Sequence, residues 1–303
     1  MEFLYLLEGL RSPVLDKLML AITTLGEETA FLVTALIVFW CVDKRKGYYV
    51  MTVGFIGTMV NQFLKLFCQV PRPWVLDPDF SIVEQAREAA TGYSFPSGHS
   101  QNAVGTFGAL AVITKNRWLR TACIAIAVLV PFSRMYLGVH TPMDVLVGSL
   151  MALLLVAVLG PMARKENHRA MKEIVGFMLV LAVGLLAFAI VFPVYVDVDA
   201  ANGYSCLKNA CTMLGCLAGV AVVYPAERKY VNFDTKAVWW AQILKAVLGL
   251  GVVLLVKEGL RAPLEMVMDV YAARAVRYFL IVVTAGLLWP MSFRYFSKLG
   301  VKK

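Results

Sequence analysis

Residues 173–193 read EIVGFMLVLAVGLLAFAIVFP, with an acid at the start and no further charge before Asp197. Crossing the roughly 30 Å hydrocarbon core of a bilayer takes about 20 apolar residues in a helix rising 1.5 Å each, and this run meets that length. In a water-soluble fold such a segment would have to be hidden on every side. The reading therefore puts the chain in a membrane.

The rest of the sequence agrees. The chain has 303 residues, of which 60% are hydrophobic and 16% charged, and its mean hydropathy is +0.71. A soluble domain carries about 25% charged residues. Length alone suggests two domains, but that rule does not transfer to helices in lipid. The expected fold is an all-α, polytopic transmembrane helical bundle of about nine spans. They fall near 27–42, 47–67, 98–114, 118–137, 142–162, 173–193, 206–225, 237–257 and 271–292. The segment 13–25 is too short to cross as a helix, so residues 3–25 read as one or two helices lying at the outer interface, with a tenth span as the alternative. The expected organisation is 1–26 as interfacial helices, 27–165 as a core and 166–303 as additional transmembrane helices.

The net charge of +9 does not point to nucleic acid. The basic residues cluster between apolar runs, as at Lys44, Arg45 and Lys46, at Arg164, Lys165, Arg169 and Lys172, and at Arg294, Lys298, Lys302 and Lys303. Every cluster falls at a turn of the same parity, which is the positive-inside pattern and places the C-terminus in the cytoplasm. The N-terminus MEFLYLLEGL lacks a basic leader and does not read as a cleaved signal peptide. The six cysteines show no metal-ligand spacing and mostly behave as small apolar residues.

Three motifs carry chemistry. They are KLFCQVPRP at 65–73, PSGH at 96–99 and SRMYLGVHTPMD at 133–144. The first two flank the one long polar stretch, 68–97, and long loops in compact proteins are usually functional. The topology brings Lys65, His99, Arg134 and His140 to one membrane face. Lys65, Arg72 and Arg134 are cations costly to gather without an anion, and the planar fork of Arg matches phosphate oxygens. Ser97 and Gly98 stand where a helix begins, so their N–H groups suit an anion cradle.

Two histidines suit a two-step phosphoryl transfer, with His140 as nucleophile, Asp144 fixing its tautomer and His99 as general acid. No acidic cluster able to hold paired metal ions is visible, so neither metal nor cofactor is expected. Each motif also has a plainer explanation. Thr141, Pro142 and Asp144 make a good helix start, and Ser97 a good N-cap. Arg72 reads as an interfacial snorkelling residue and His168 as a solvated one. The coincidence of two histidines with partners on one face favours the chemical reading.

K-x6-RP, PSGH and SR-x5-H-x3-D, in this order, resemble the signature of the type 2 phosphatidic acid phosphatase superfamily. They read here as Lys65, Arg72 and Pro73; Pro96, Ser97, Gly98 and His99; and Ser133, Arg134, His140 and Asp144. The resemblance covers roughly 27–162 and implies a metal-independent phosphatase working through a phosphohistidine. It implies His140 as nucleophile, Asp144 as its partner and His99 as acid, with Lys65, Arg72, Ser97, Gly98 and Arg134 holding phosphate. YSFPSGHSQN at 93–102 is closer to bacterial lipid phosphatases, whereas RPWVLD at 72–77 is loosely similar to the glucose-6-phosphatase branch. The long continuation after 162 departs from many bacterial members.

The expected partners are a phosphorylated lipid substrate and membrane lipids, with no nucleic acid and with room for a homodimer. The expected site faces away from the cytoplasm in a plasma membrane. A sugar phosphate remains an alternative substrate, and a non-catalytic lipid-binding or transport protein an alternative function. Lys245, Asp269, Arg274 and Arg277 fall at membrane depth or near it, where charges face a partner or a cavity. Arg274 and Arg277 are candidates for shaping substrate choice, against the alternative of pairing with Asp269 and Glu265.

Overall fold

The computed structural model describes residues 1–165 and 167–299. Among these every regular element is helical. In chain order they are α1 (Glu2–Glu8), α2 (Pro13–Thr23), α3 (Glu28–Ile37), α4 (Lys44–Cys68), α5 (Pro73–Leu76), α6 (Gly98–Ile113) and α7 (Arg117–Tyr136). They continue as α8 (Pro142–Arg164), α9 (His168–Tyr195), α10 (Ala200–Ala226), α11 (Trp239–Gly259), α12 (Arg261–Val267), α13 (Val270–Val283) and α14 (Phe293–Phe296).

The all-α transmembrane expectation holds, but the count of nine spans does not. Seven helical segments of the described residues are long and apolar enough to cross a membrane, or eight if a bent pair counts as one span. Two expected spans fail on length. α6 has 16 residues, which is about 24 Å of helix. The expected span 27–42 is α3 followed by a π-turn at Val38–Val42, and it reaches span length only together with Pro13–Gly26 across a 54° bend.

The chain divides into two units. The first comprises Met1–Thr34, Tyr49–Arg164 and Val191–Cys206. At its centre α6 lies against α7 and α8. Ser100, Gln101, Asn102 and Thr106 are buried along it beside Ala103, Val104 and Phe107, so it is polar and yet enclosed. In lipid there is no hydrophobic drive between helices, and close packing of small residues takes over. Gly148 of α8 shows this, since a Cβ there would sit 2.6 Å from the carbonyl oxygen of Ser97.

The turn between α7 and α8 is set by Gly138, whose φ of +80° is the left-handed conformation that favours glycine. Val139 N–H returns to the carbonyl of Arg134 at 3.2 Å. α8 then begins with a reciprocal cap. Thr141 N–H donates to Asp144 Oδ2 at 2.7 Å, and Asp144 N–H donates to Thr141 Oγ1 at 3.3 Å. α1, α2 and the 68–97 stretch close over the end of α7 through an apolar cluster that includes Leu4, Met19, Phe80, Val83, Leu137 and Val139. Arg11 ties this layer down by donating to the carbonyls of Tyr136, at 3.0 Å, and Ser81, at 2.8 Å.

The second unit comprises Ala35–Tyr48, Lys165–Ile190 and Leu207–Lys303. Within it α11 packs on α12, α13 and α14. The intramembrane Lys245 is buried, donates to the carbonyl of Thr235 at 3.0 Å and lies 4.5 Å from the Phe293 ring centroid. All six cysteines are free thiols.

Candidate active site

The three motifs converge inside the first unit. The constellation starts from Asp144, whose Oδ2 accepts from three sides. Thr141 N–H reaches it at 2.7 Å, Ser94 Oγ at 2.7 Å, and His140 Nδ1 lies 3.5 Å away. Asp144 thus caps α8 and also lies beside His140 Nδ1, so the helix-start geometry and the approach to the histidine coexist in one carboxylate.

His140 sits in the connection 137–141 and is 2% exposed. Its Nε2 lies 2.9 Å from Arg72 Nη1. A guanidinium only donates, so Nε2 is the accepting nitrogen and the proton of the neutral ring belongs on Nδ1. That proton faces Asp144 and Ser94, whose Oγ is 3.4 Å away. Burial holds His140 well below the ordinary histidine pKa, and the charges of Arg72, Arg134 and Lys65 push it further down. The arrangement is a neutral imidazole with its free lone pair on the nitrogen that faces the cations.

Arg72 is pinned by backbone. Its Nε donates to the carbonyl of Gly92 at 3.1 Å, Nη2 to Thr91 at 2.8 Å and Nη1 to Val139 at 3.0 Å. Lys65 donates to the carbonyl of Tyr93. Arg134 is fully buried, and its Nη1 donates to Thr23 Oγ1 at 2.9 Å. Arg134 Nε and Nη2 and His99 Nε2 are buried without a partner among the described residues. Removing three cations from water costs several kcal/mol each, and the two carboxylates that act on them, Asp144 on Lys65 and Arg72 and Glu27 on Arg134, leave a net positive charge. A surplus positive charge enclosed in this way would favour an anion beside it.

Ser97 takes the plainer of the two parts its position offers, the N-cap of α6. Its N–H donates to the carbonyl of Asp144 at 2.9 Å, and its hydroxyl accepts from Ser100 N–H and Ser100 Oγ. It locks the start of α6 to the start of α8, which leaves the N–H groups of Gly98 and His99 in the first turn as the backbone donors for an anion. Two side chains of the constellation go unnoticed in a reading by motif. Ser94 lies within the quoted stretch 93–102 but outside PSGH, and Thr23 sits far away at the end of α2. Arg274 and Arg277 belong to the second unit, where Arg274 Nε donates to Thr212 Oγ1 at 2.6 Å.

Comparison with known proteins places the chain in a family. Residues 45–168 match the PAP2 superfamily. Undecaprenyl-diphosphatase BcrC of Bacillus subtilis is 30% identical over 148 residues, covering 48% of this chain and 73% of that protein. The chain belongs to the PAP2 superfamily. Residues 211–302 match the transmembrane extension of PAP2 superfamily phosphatases, so the long continuation that departs from many bacterial members is itself a feature of the superfamily. Phosphatidylglycerophosphatase B of Bacillus subtilis is 32% identical over 160 residues, covering 48% of this chain and 74% of that protein. The crystal structure of a transmembrane PAP2 type phosphatidylglycerolphosphate phosphatase from the same organism has 28% identity and a TM-score of 0.46, over 55% of this chain and 84% of that one. This PAP2 protein is an integral membrane phosphatase.

Proposed function

We propose that this PAP2 phosphatase hydrolyses a lipid phosphate or diphosphate through a phosphohistidine on His140. The observation that carries the reading is the buried line Asp144, His140, Arg72, with the imidazole lone pair on the cationic side. Phosphate oxygens take Arg72, Arg134 and Lys65, and Arg72 Nη1 transfers its hydrogen bond from Nε2 to the substrate. His140 Nε2 then attacks phosphorus as the bond to the leaving oxygen breaks, and His99 delivers the proton that oxygen needs. Ser94 and Asp144 stabilise the imidazolium proton on Nδ1. In the second step water attacks the phosphohistidine, gives a proton to His99 and releases inorganic phosphate with His140 restored.

The cations supply the charge stabilisation that divalent ions supply in other phosphatases, which supports a metal-independent reaction. The relatives named for undecaprenyl diphosphate and phosphatidylglycerophosphate support a lipid substrate. The basic clusters support a site on the extracytoplasmic face and a cytoplasmic C-terminus.

The test is phosphate release by the purified protein with EDTA present. The panel holds undecaprenyl diphosphate, phosphatidate, sphingosine phosphate and glucose 6-phosphate, each repeated with His140→Ala. Turnover of a lipid that disappears in the variant is expected. Preference for glucose 6-phosphate would refute the lipid assignment, and turnover that survives His140→Ala would refute the mechanism.

A further inference from the structure

Arg277 is anomalous. It is 7% exposed, yet it makes no hydrogen bond or ion pair within the described residues, and its Nε is buried without a partner. It lies over the ring of Tyr278, with a centroid 5.7 Å from Cζ. A guanidinium cannot shed its charge, so burying its Nε–H without an acceptor is costly.

The carboxylates near in sequence do not answer it. Asp269 caps α13 by accepting from Tyr271 and Ala272 N–H, and Glu265 pairs with Arg261 at 3.6 Å. The pairing of Arg274 and Arg277 with these acids, the alternative left open by the sequence, is therefore not made. One turn earlier on α13, Arg274 adds a second cation, 5.3 Å from the same Tyr278 ring. Its Nε is held by Thr212 Oγ1, and Thr212 is itself buried on α10. The two helices are pressed together here, since a Cβ on Gly215 would meet the carbonyl of Ala275 at 2.1 Å. The arginines lie about 7 and 12 Å along α13 from its cap, within reach of a polar group entering from that end.

We infer that Arg277, Arg274 and Thr212 form a second phosphate-binding site, in the transmembrane extension, for a phosphate group carried by a lipid headgroup or free in solution. Two adjacent guanidinium forks suit the oxygens of a single tetrahedral anion. This site uses none of the residues assigned to hydrolysis, and it stands whether or not the substrate assignment does.

The test uses the full chain in nonionic detergent with His140→Ala, so that a phospholipid probe is not consumed. Thermal melting is followed against phosphatidate, against diacylglycerol with the same chains, and against inorganic phosphate. Phosphatidate should raise the melting temperature where diacylglycerol does not. Adding Arg277→Gln should raise the concentration needed for the half-maximal shift by about tenfold, while Lys65→Gln should leave this Arg277-dependent component in place. An Arg277-dependent rise with inorganic phosphate identifies the free anion as ligand, and a rise with phosphatidate alone identifies the headgroup; either sustains the site.

Equal responses to phosphatidate and diacylglycerol, or a phosphatidate response indifferent to Arg277, would overturn it. Arg277→Met supplies a check that needs no ligand. Removal of an unpaired buried charge should leave the ligand-free protein at least as stable, and marked destabilisation would mean that the protein itself satisfies Arg277. Should Arg277→Gln not fold, Arg274→Gln carries the titration with the same expected shift.

Discussion

Arg72 Nη1 stands 2.9 Å from His140 Nε2, so the cation proposed to hold phosphate already rests on the atom proposed to attack it. The contact depends on three carbonyls that fix the guanidinium plane. Lysine can keep the charge but not that geometry. Arg72→Lys should therefore lower kcat/KM by about 10²- to 10³-fold, the usual cost of a misplaced transition-state donor. Retention of near-normal kcat/KM in steady-state phosphate release would contradict this.

Ser94 is a positioning residue in the proposed mechanism. Its hydroxyl donates to Asp144 Oδ2 at 2.7 Å and so draws on the charge that the carboxylate presents to His140. In Ser94→Ala that charge acts on the imidazole undiminished, which favours the protonated ring. The acidic limb of the kcat/KM profile should move to higher pH, and kcat should fall by about tenfold from loss of ring orientation. A lower kcat with an unmoved pH profile would reduce Ser94 to a packing residue.

How far the sequence shows this site depends on the type of residue. Lys65, Arg72, His99, Arg134, His140 and Asp144 are visible because charged and titratable groups are rare in so apolar a chain. Ser94 and Thr23 carry no such mark. Each acts through a contact across 50 or 111 residues, and no local pattern records that. The miscounted spans have a related cause. α6 and the segment after Glu28 are apolar enough to resemble spans, but protein rather than lipid surrounds α6, and hydropathy does not distinguish the two surroundings.

The pH dependence of stability follows from His140. Its folded-state pKa lies below the unfolded value of about 6.5. Between the two the unfolded chain binds the additional proton, so the contribution of His140 to stability is flat above about pH 6.5 and falls as the pH drops below it. His140→Gln, which cannot protonate, should show a shallower decline of melting temperature between about pH 6.5 and 5. Parallel curves for the two proteins would mean that His140 titrates normally.

Gly148 and Gly160 lie on the same helix and should respond oppositely to alanine. A Cβ on Gly148 would strike the Ser97 carbonyl at 2.6 Å, whereas nothing lies within 4 Å of one on Gly160. Gly148→Ala should destabilise by about 1–3 kcal/mol and displace the start of α6 with its histidine. Gly160→Ala should melt at or slightly above the wild-type temperature. Thermal melting in detergent with a parallel activity assay checks both, and equal melting temperatures for the two variants would count against the packing described.

The enclosed polar character of α6 bears on how the protein is made. A sixteen-residue helix with Ser100, Gln101, Asn102 and Thr106 along it partitions poorly into lipid by itself. It is held at depth by α7 and α8, both synthesised later, so its insertion must be cooperative with theirs. On the proposed mechanism the acid histidine is delivered on α6, and the nucleophile and its carboxylate arrive only with the start of α8. The emerging chain is hydrolytically silent until the helices that shelter α6 have joined it, and membrane integration and the onset of activity become a single event.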